Sequence, residues 1–479
     1  MSESSGFAPV YTPPPEPSRP VWPLALVAVL VVVAVGLGIW ALLGGGQPAA
    51  SPSPTPAAVV TPTPTAQPPT EAPSTTAPAS PSDAPSVSPS GSPSGSPTGD
   101  IRAEIDAIVA QVPALRQLEA LRDVPYEFVS REEFQADLQD LIDEETDPEE
   151  LAIEERLLKR LGLLPPEIDL REAILELYGS QVAAFYRPDR GTFYIIGERQ
   201  TLAPFDRLVV AHEYTHALQD QHFDLEGRRI TDTSEGDAAL AQTAAIEGDA
   251  SLLMILWGQA NLTPQELMSI GDAINPADLE LLESMPPILR RQLEFPYNDG
   301  LFFSLALFGS SFSWEAINET ISTPPVSTEQ ILHPEKYFAS EDPVTVEIPD
   351  SSAALGDGWQ SSYTQTMGEL NIQVWVGGGE DPVSGMPGMP PEQPHAEAAA
   401  GWGGDRLVMY ENAEGGWAVA WEIAFDTTVD AEEFLDRAQE LQSTLDGVSD
   451  IMAVGDDRVR LLLAHDATTL TAVTAAFGE

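Results

Sequence analysis

The segment VVAHEYTHALQDQH, residues 209–222, contains three of the chain's six histidines. His212 and His216 are four positions apart, so on a helix they lie about 40° apart around the axis and can direct both imidazoles at one ion. Glu213 adjoins the first histidine and would face the same region. A carboxylate there can take a proton from water and pass it to a leaving group, while zinc polarises the bond to be broken. The HExxH spacing therefore predicts a zinc site with Glu213 as general base and acid.

A hydrolytic zinc site also needs a third protein ligand. His222 follows His212 at the spacing HExxHxxxxxH, but Gln219 occupies the position where proteins with that motif bend the chain with glycine. On an unbroken helix, His222 would lie about 9 Å beyond His216, too far to share its ion. Glu247, within AAIEGDA, is the preferred third ligand, because its small neighbours allow close helix packing and a buried carboxylate there requires a cation. Replacement of Glu247 by His222 remains the alternative.

Four further residues are candidates for supporting roles. Asp249 and Asp220 could orient the ligand histidines, although Asp249 is two residues after Glu247 and would face another side of a regular helix. Tyr297, in FPYNDG, and His333, in STEQILHPEKY, could each donate a hydrogen bond to the oxyanion that forms at an attacked carbonyl. Both lie in segments that we expect to be loops, and a purely structural role is the alternative for each.

The elements that must hold these residues are mainly helical. Hydrophobic spacing predicts helices between Ile101 and Gly162, followed by a β-hairpin over Val182–Ile196. The motif helix begins after Pro204. A second, alanine-rich helix begins near Ser234, where Ser234 and Asp237 have the spacing of a capping box.

The segment from Val344 to the end has a different pattern, which predicts a smaller α+β region. We expect a loop rich in Gly, Pro and Met at about 377–401, a strand pair around 450–465 and a final helix. Strands are predicted at NIQVWVG, DRLVMYENA and GWAVAWEIAF, and a helix at DAEEFLDRAQELQSTL.

Several of these stretches together resemble a group of largely uncharacterised bacterial gluzincin-like zinc peptidases. The resemblance covers roughly Ala173 to Tyr337, through AFYRPDRGTFYI, VVAHEYTHALQDQHFDL, AAIEGDASLLM and PPVSTEQILHPEKY, and extends more weakly into GWGGDRLVMY and FDTTVDAEEF. It implies a zincin-like fold, with His212, His216 and Glu247 as zinc ligands and Glu213 as general base and acid.

More distantly, the chain is similar to thermolysin-type enzymes. In those enzymes an edge strand before the motif helix binds the substrate as an added β-strand, which implies that role for Val182–Ile196. The chain differs from them in the longer separation between His216 and Glu247, and in having Ser251 rather than Asp four residues after the glutamate. These differences concern the groups that support the ligands and leave the ligand set itself intact.

An uncharged apolar run, Leu24–Leu43, is long enough to cross a bilayer as a helix. Arg19 on its N-terminal side favours a cytoplasmic N-terminus and an exported C-terminal part. A cleaved signal peptide is the alternative, but no clear cleavage site follows the run. The chain therefore divides into a disordered tail (1–23), a transmembrane helix (24–43), a disordered Pro/Ser/Thr-rich linker (44–100), a peptidase domain (101–340) and an α+β C-terminal region (341–479).

Composition excludes several classes of function. The chain has 75 acidic and 22 basic side chains, a formal net charge of -53 and no cysteine. Such a charge repels phosphate backbones, which argues against nucleic-acid binding. Without cysteine there is no disulfide, thiolate zinc site or cysteine nucleophile. Acidic turns such as Gly455-Asp456-Asp457 would permit calcium without indicating it.

The leading expectation is a single-pass membrane protein whose extracytoplasmic part is an α+β zinc endopeptidase, with one catalytic Zn²⁺ and a protein or peptide as substrate. A zinc-stabilised domain that binds cell-envelope partners without turnover is one alternative. Hydrolysis of peptidoglycan-type amide bonds is another. Glu213 argues against the non-catalytic alternative, because a binding module has no evident use for a general base at that position.

Overall fold

The computed structural model describes residues 99–145, 147–197, 201–228, 233–271, 276–380 and 393–478. The predicted transmembrane helix, residues 24–43, and nearly all of the linker lie outside the described residues. Within the described part, the helix Gly236–Asn261 is long and apolar enough to cross a membrane, but 78 % of its most apolar window is buried inside the fold. That helix therefore belongs to the core.

The described residues form an α+β protein with two sheets, which confirms the predicted class. The first part contains α1 (Gly99–Arg116), β1 (Tyr126–Val129), α2 (Arg131–Glu145), α3 (Pro148–Arg160), α4 (Leu170–Gln181), β2 (Ala184–Arg187), β3 (Thr192–Ile196), α5 (Pro204–Phe223), α6 (Gly236–Asn261), α7 (Pro264–Ser269), α8 (Pro276–Ser284), α9 (Pro287–Ser311), α10 (Trp314–Ser322), α11 (Thr328–Leu332) and α12 (Pro334–Ala339). The second part contains α13 (Ser352–Leu355), β4 (Gln360–Gln365), α14 (Gly368–Val376), β5 (Trp402–Glu411), β6 (Trp417–Phe425), α15 (Thr428–Leu441), β7 (Val448–Val454), β8 (Arg458–Ala464) and α16 (Ala467–Ala476).

The small sheet has the strand order β1-β3-β2. Strands β2 and β3 pair antiparallel, which confirms the predicted hairpin, and Gly191 at the turn has a φ of 59°, a conformation that glycine adopts without strain. Strand β1, which the sequence analysis did not predict, pairs parallel with β3. Strand β2 therefore lies at one edge of the sheet, and β3 is the strand that precedes the motif helix α5 in the chain.

Helix α5 carries the HExxH motif and begins with Pro204 in its first turn, where a missing N–H costs nothing. It continues unbroken to Phe223. The predicted capping box of α6 is wrong: Glu235 is the N-cap residue and makes no side-chain capping bond. The Asp237 carboxylate instead accepts hydrogen bonds from the backbone N–H and hydroxyl of Thr328, because it is buried where α11 packs against α6.

Helices α6 and α9 pack with their backbones in direct contact. A Cβ atom at Gly248 would overlap the carbonyl oxygen of Gly300, and a Cβ atom at Gly300 would overlap that of Ala244. Only glycine permits this approach. It brings the residues around Gly300 on α9 close to those around Gly248 on α6.

The C-terminal sheet is antiparallel with the order β4-β5-β6-β8-β7. Its strands β5 to β8 and helices α15 and α16 match the prediction, whereas NIQVWVG forms part of helix α14 rather than a strand. This helix is buried on almost every side, so it has no polar face and no helical period in its sequence. Residues 381–392 of the predicted loop lie outside the described residues.

The two parts of the chain share one hydrophobic cluster. Leu177 of α4 and Leu289 of α9 belong to the same buried cluster as Trp375 of α14 and Trp421 of β6. The indole N–H of Trp375 also donates to the backbone oxygen of Leu161. The predicted domain boundary at residue 340 stays a prediction, and the parts on its two sides are in extensive contact.

Candidate metal centre

Three donor atoms converge where α5 crosses α6. The Nε2 atoms of His212 and His216 are 3.1 Å apart, and each lies 3.2 Å from Oε2 of Glu247. Two ligands of a tetrahedral zinc ion, bound at about 2.0–2.1 Å, are separated by about 3.3 Å. The triangle therefore has the size and the donor types of a zinc site, and within the described part of the chain this buried group could hold a metal ion.

The charges of these residues favour a cation at the same point. Burial would raise the pKa of Glu247, but the facing histidines lower it to about 2, so the carboxylate is ionised. Burial would lower the pKa of His216, yet Glu247 raises it to about 9. Burial lowers the pKa of His212. Among the described residues, no lysine or arginine forms an ion pair with Glu247. Its buried charge is compensated by the proton of His216, or by a bound cation that would replace that proton.

Glu213 is fully buried beside this triangle. Neither of its carboxylate oxygens has a hydrogen-bond partner among the described residues. Burial raises its pKa to about 8. The charge of His216 opposes this rise, and the nearby backbone N–H of Tyr186 on β2 opposes it more weakly, without reaching hydrogen-bonding geometry. A carboxyl group with a pKa near neutrality can both accept and return a proton, which suits a general base and acid.

The residues that follow the motif attach α5 to neighbouring elements. Gln219 accepts a hydrogen bond from Nδ1 of His216 at 2.8 Å and donates one to Asp249 at 2.7 Å. Asp220 accepts from the Tyr186 hydroxyl at 2.8 Å and from Arg122 at 2.7 Å. Asp249 thus reaches a ligand histidine, but only through Gln219, whereas Asp220 holds strand β2. The predicted orienting role therefore fits Asp249 and does not fit Asp220.

His222 is separate from the metal-ligand triangle. Its Nε2 atom lies 2.8 Å from the backbone oxygen of Glu119, in the segment after α1. Helix α5 continues straight through Gln219, as the absence of glycine predicts. The structure therefore groups Glu247, and not His222, with the two motif histidines.

The two proposed oxyanion donors have different surroundings. Tyr297 lies within α9 rather than in a loop, is 4 % exposed, and its ring centroid is 6.4 Å from that of His212. His333 lies between α11 and α12, and its Nε2 is 3.0 Å from Oε1 of Glu369. Tyr297 is thus beside the candidate metal centre, whereas His333 is engaged in an ion pair with the C-terminal part.

Besides the supporting role of Gln219, sequence reasoning missed two residues near the centre. Tyr178 on α4 is buried. Its burial raises its pKa, and the negative charge of Glu247 raises it further. Arg116 at the end of α1 forms a two-pronged ion pair with Asp249. Neither residue belongs to a local motif, and Arg116 is 133 positions from Asp249 in the sequence. A buried arginine at the end of an amphipathic helix gives no signal of its partner.

Comparison with known proteins gives one family match, and it covers only the C-terminal part. A family described as "Domain of unknown function (DUF8575)" matches residues 356–478. Searches of curated proteins and of solved structures gave no match to the chain. The matched segment contains β4 to β8 with their helices and includes none of the residues of the candidate metal centre.

Proposed function

We propose that the chain is a membrane-anchored, extracytoplasmic zinc endopeptidase of the gluzincin-like type. The observation that carries this proposal is the triangle of His212 Nε2, His216 Nε2 and Glu247 Oε2, with sides of 3.1 to 3.2 Å, beside the unpaired carboxylate of Glu213. Three protein donors would leave one coordination position of a zinc ion for the reaction, whereas structural zinc sites usually have four protein ligands.

Each residue of the centre has a separate role in the proposed reaction. His212, His216 and Glu247 would hold the ion, which supplies Lewis acidity by polarising a carbonyl group and acidifying water. Glu213 accepts the proton of the attacking water and returns it to the leaving amine. Tyr297, beside His212, is the better placed of the two candidate donors to the developing oxyanion.

The edge strand β2 provides a binding surface for an extended peptide. The N–H of Ile196 donates to the oxygen of Ala183, so in this antiparallel pair residues 183 and 196 are hydrogen-bonded. Hydrogen-bonded and non-bonded pairs alternate, so Ala184 and Tyr186 direct their backbone groups away from β3. Because the Tyr186 N–H also acts on Glu213, this edge of the sheet faces the centre, and we propose that a substrate adds there as a strand.

One observation favours a non-catalytic alternative, in which zinc stabilises a binding domain. His212 and Glu213 are fully buried, and His216 and Glu247 are only 4 % and 5 % exposed. Structural zinc sites typically have no coordination position open to solvent, and burial of all the ligands fits that description. The burial of Glu213 argues against this alternative, because a buried carboxyl group whose oxygens accept no hydrogen bond destabilises the fold unless it has another use.

The test compares the full-length protein with Glu213→Gln on a mixed peptide library and on peptidoglycan fragments, with products identified by mass spectrometry. We expect peptide cleavage by the wild type and a decrease of about 10²–10⁴-fold in the variant, because proton transfer is lost. Both proteins should bind zinc equally. Bound zinc without cleavage of any substrate would support the non-catalytic binding domain. Cleavage confined to peptidoglycan fragments would show that the substrate is peptidoglycan and not a protein or peptide.

A further inference from the structure

The orientation of one ligand histidine is determined by a buried chain of polar side chains. His216 Nδ1 is 2.8 Å from Gln219 Oε1. Gln219 Nε2 donates to Asp249 Oδ2 at 2.7 Å and to the backbone oxygen of Ile246 at 3.0 Å. Gln219 and Asp249 are both fully buried, so no solvent competes for these bonds.

The acceptors around Gln219 determine which atom of its amide faces His216. A carboxylate and a carbonyl oxygen can only accept hydrogen bonds, so the amide nitrogen must point to Asp249 and Ile246. The amide oxygen is then left for His216 and can only accept. Nδ1 of His216 must therefore carry a proton, so in the neutral form of the ring, which is the form that binds a metal, the Nε2 lone pair is directed at the centre.

Asp249 is in turn held by Arg116. The guanidinium Nε and Nη2 donate to the two carboxylate oxygens at 2.7 and 2.9 Å, and neither residue is exposed. Nη2 also donates to Asn318 at 2.7 Å, and the guanidinium lies 4.5 Å from the ring centroid of Trp314. Arginine presents a planar fork that lysine cannot reproduce, so this arrangement fixes the plane of the Asp249 carboxylate.

We propose that Gln219, Asp249 and Arg116 are positioning residues that set the tautomer and the ring orientation of His216 for metal binding. The inference rests on the zinc site proposed above. It assigns to helix α1, which contributes no metal ligand, a direct role in metal affinity. Groups that orient ligand histidines typically change metal affinity by about 10–100-fold when they are removed.

The test measures the zinc dissociation constant of the metal-free, full-length protein by competition with a chromophoric chelator. In Gln219→Leu, the shape of the side chain is nearly kept and the Arg116–Asp249 pair remains intact, so the fold should persist. We expect zinc affinity to fall by about 10–100-fold. Arg116→Lys keeps the charge opposite Asp249 but loses the fork, so we expect a smaller decrease of a few-fold.

The matched control is Gln221→Leu, in the same turn of α5. Gln221 accepts hydrogen bonds from the backbone N–H groups of Leu121 and Arg122 and does not contact His216. The Gln221→Leu variant should have a lower thermal stability in the metal-free state, while its zinc affinity stays within about twofold of that of the wild type. This separates positioning of the ligand from general support of the helix.

Three outcomes would overturn the inference. Zinc affinity of Gln219→Leu within twofold of the wild type would remove the positioning role, with the zinc site still standing. An equal decrease in Gln221→Leu would assign the effect to helix stability. Absence of zinc binding by the wild type would overturn the proposed function together with this inference.

Discussion

Two groups of histidine and carboxylate side chains among the described residues, one buried and one partly exposed, differ in how their charge is compensated. We call the first the metal cluster, formed by His212, His216 and Glu247, and the second the lysine cluster, formed by Glu329, His333, Lys336, Glu341, Glu369 and Asp426. In the lysine cluster, Nζ of Lys336 lies 2.7 Å from a carboxylate oxygen of each of three acidic residues. In the metal cluster, three donor atoms face each other without a lysine or arginine partner among the described residues.

The difference shows that histidine and acidic residues close together do not by themselves make a metal site. The Lys336 ammonium supplies the positive charge that its carboxylates need, and His333 is paired with Glu369. The metal cluster has the same residue types but leaves lone pairs converging on one point. A metal cation can replace the proton of His216 and bind all three donor atoms at once.

The largest expected effect is on zinc binding. We expect His216→Ala to weaken zinc binding by more than about a thousandfold, because each ligand contributes several of the about 10–16 kcal/mol with which multi-ligand sites hold zinc. His333→Ala is the matched control in the lysine cluster and should leave affinity unchanged. Chelator competition measures both. Equal losses would mean that the two clusters do not differ in the proposed way.

The second expected effect is on turnover. Tyr297→Phe should lower turnover by about 10²-fold with zinc retained, because it removes the proposed donor hydroxyl from a ring whose centroid is 6.4 Å from that of His212. His333→Ala should leave turnover nearly unchanged, since His333 is engaged with Glu369. Steady-state kinetics on a cleaved peptide would measure both variants. The opposite ranking would make His333 the oxyanion donor.

The third expected effect concerns the close contact that supports Glu247. In Gly248→Ala the new methyl group meets the Gly300 backbone, so α6 and α9 must separate, at a cost of about 1–3 kcal/mol in the free energy of unfolding. Gly309→Ala is the control on α9, because a Cβ atom there meets nothing within 4 Å. It should be neutral or stabilise the helix by up to about 1 kcal/mol. Chemical denaturation of the two variants would show whether the contact is as tight as described.

The smallest expected effect is a pH dependence of stability in the lysine cluster. The hydrogen bond to Glu369 raises the pKa of His333 above its usual value of 6.5, against the opposing effect of burial. A raised pKa means that the folded state binds the proton more tightly, so this stabilisation is complete below pH 6.5 and is lost as pH rises through the raised pKa. His333→Gln should therefore destabilise the protein more at about pH 6 than at about pH 9. Urea unfolding at both values tests this, and an equal effect at both would exclude the ion pair as the cause.

The histidine pair of the metal cluster was predictable because its geometry is local, whereas Glu247 on another helix was preferred over His222 from the residues around it. The spacing of His212 and His216 specifies one face of a helix, and the small residues around Glu247 indicate close packing. Gln219 and Arg116 were not predictable as supporting residues. Gln219 gives no signal beyond that of any helical glutamine, and Arg116 meets Asp249 only after α1 has packed against α5 and α6.

Prediction of the fold was limited in the same way, because it succeeded only where local sequence specifies the element. The hairpin β2–β3 and the strands β5 and β6 were predicted because turn residues and alternating apolar residues specify them. Strand β4, QSSYTQ, was missed because it has almost no apolar alternation. Helix α14 was predicted as a strand because burial on all sides removes the helical period. In both cases tertiary packing, and not local sequence, decides the element.

The most direct test of the central claim is the zinc content of the purified full-length protein, measured by elemental analysis beside Glu247→Gln and Glu369→Gln. These variants make the same substitution in the metal cluster and in the lysine cluster. We predict one zinc ion per chain in the wild type and in Glu369→Gln, and loss of stoichiometric zinc in Glu247→Gln. Absence of zinc from a folded wild-type protein, or its full retention in Glu247→Gln, would contradict the assignment of His212, His216 and Glu247 as a zinc site.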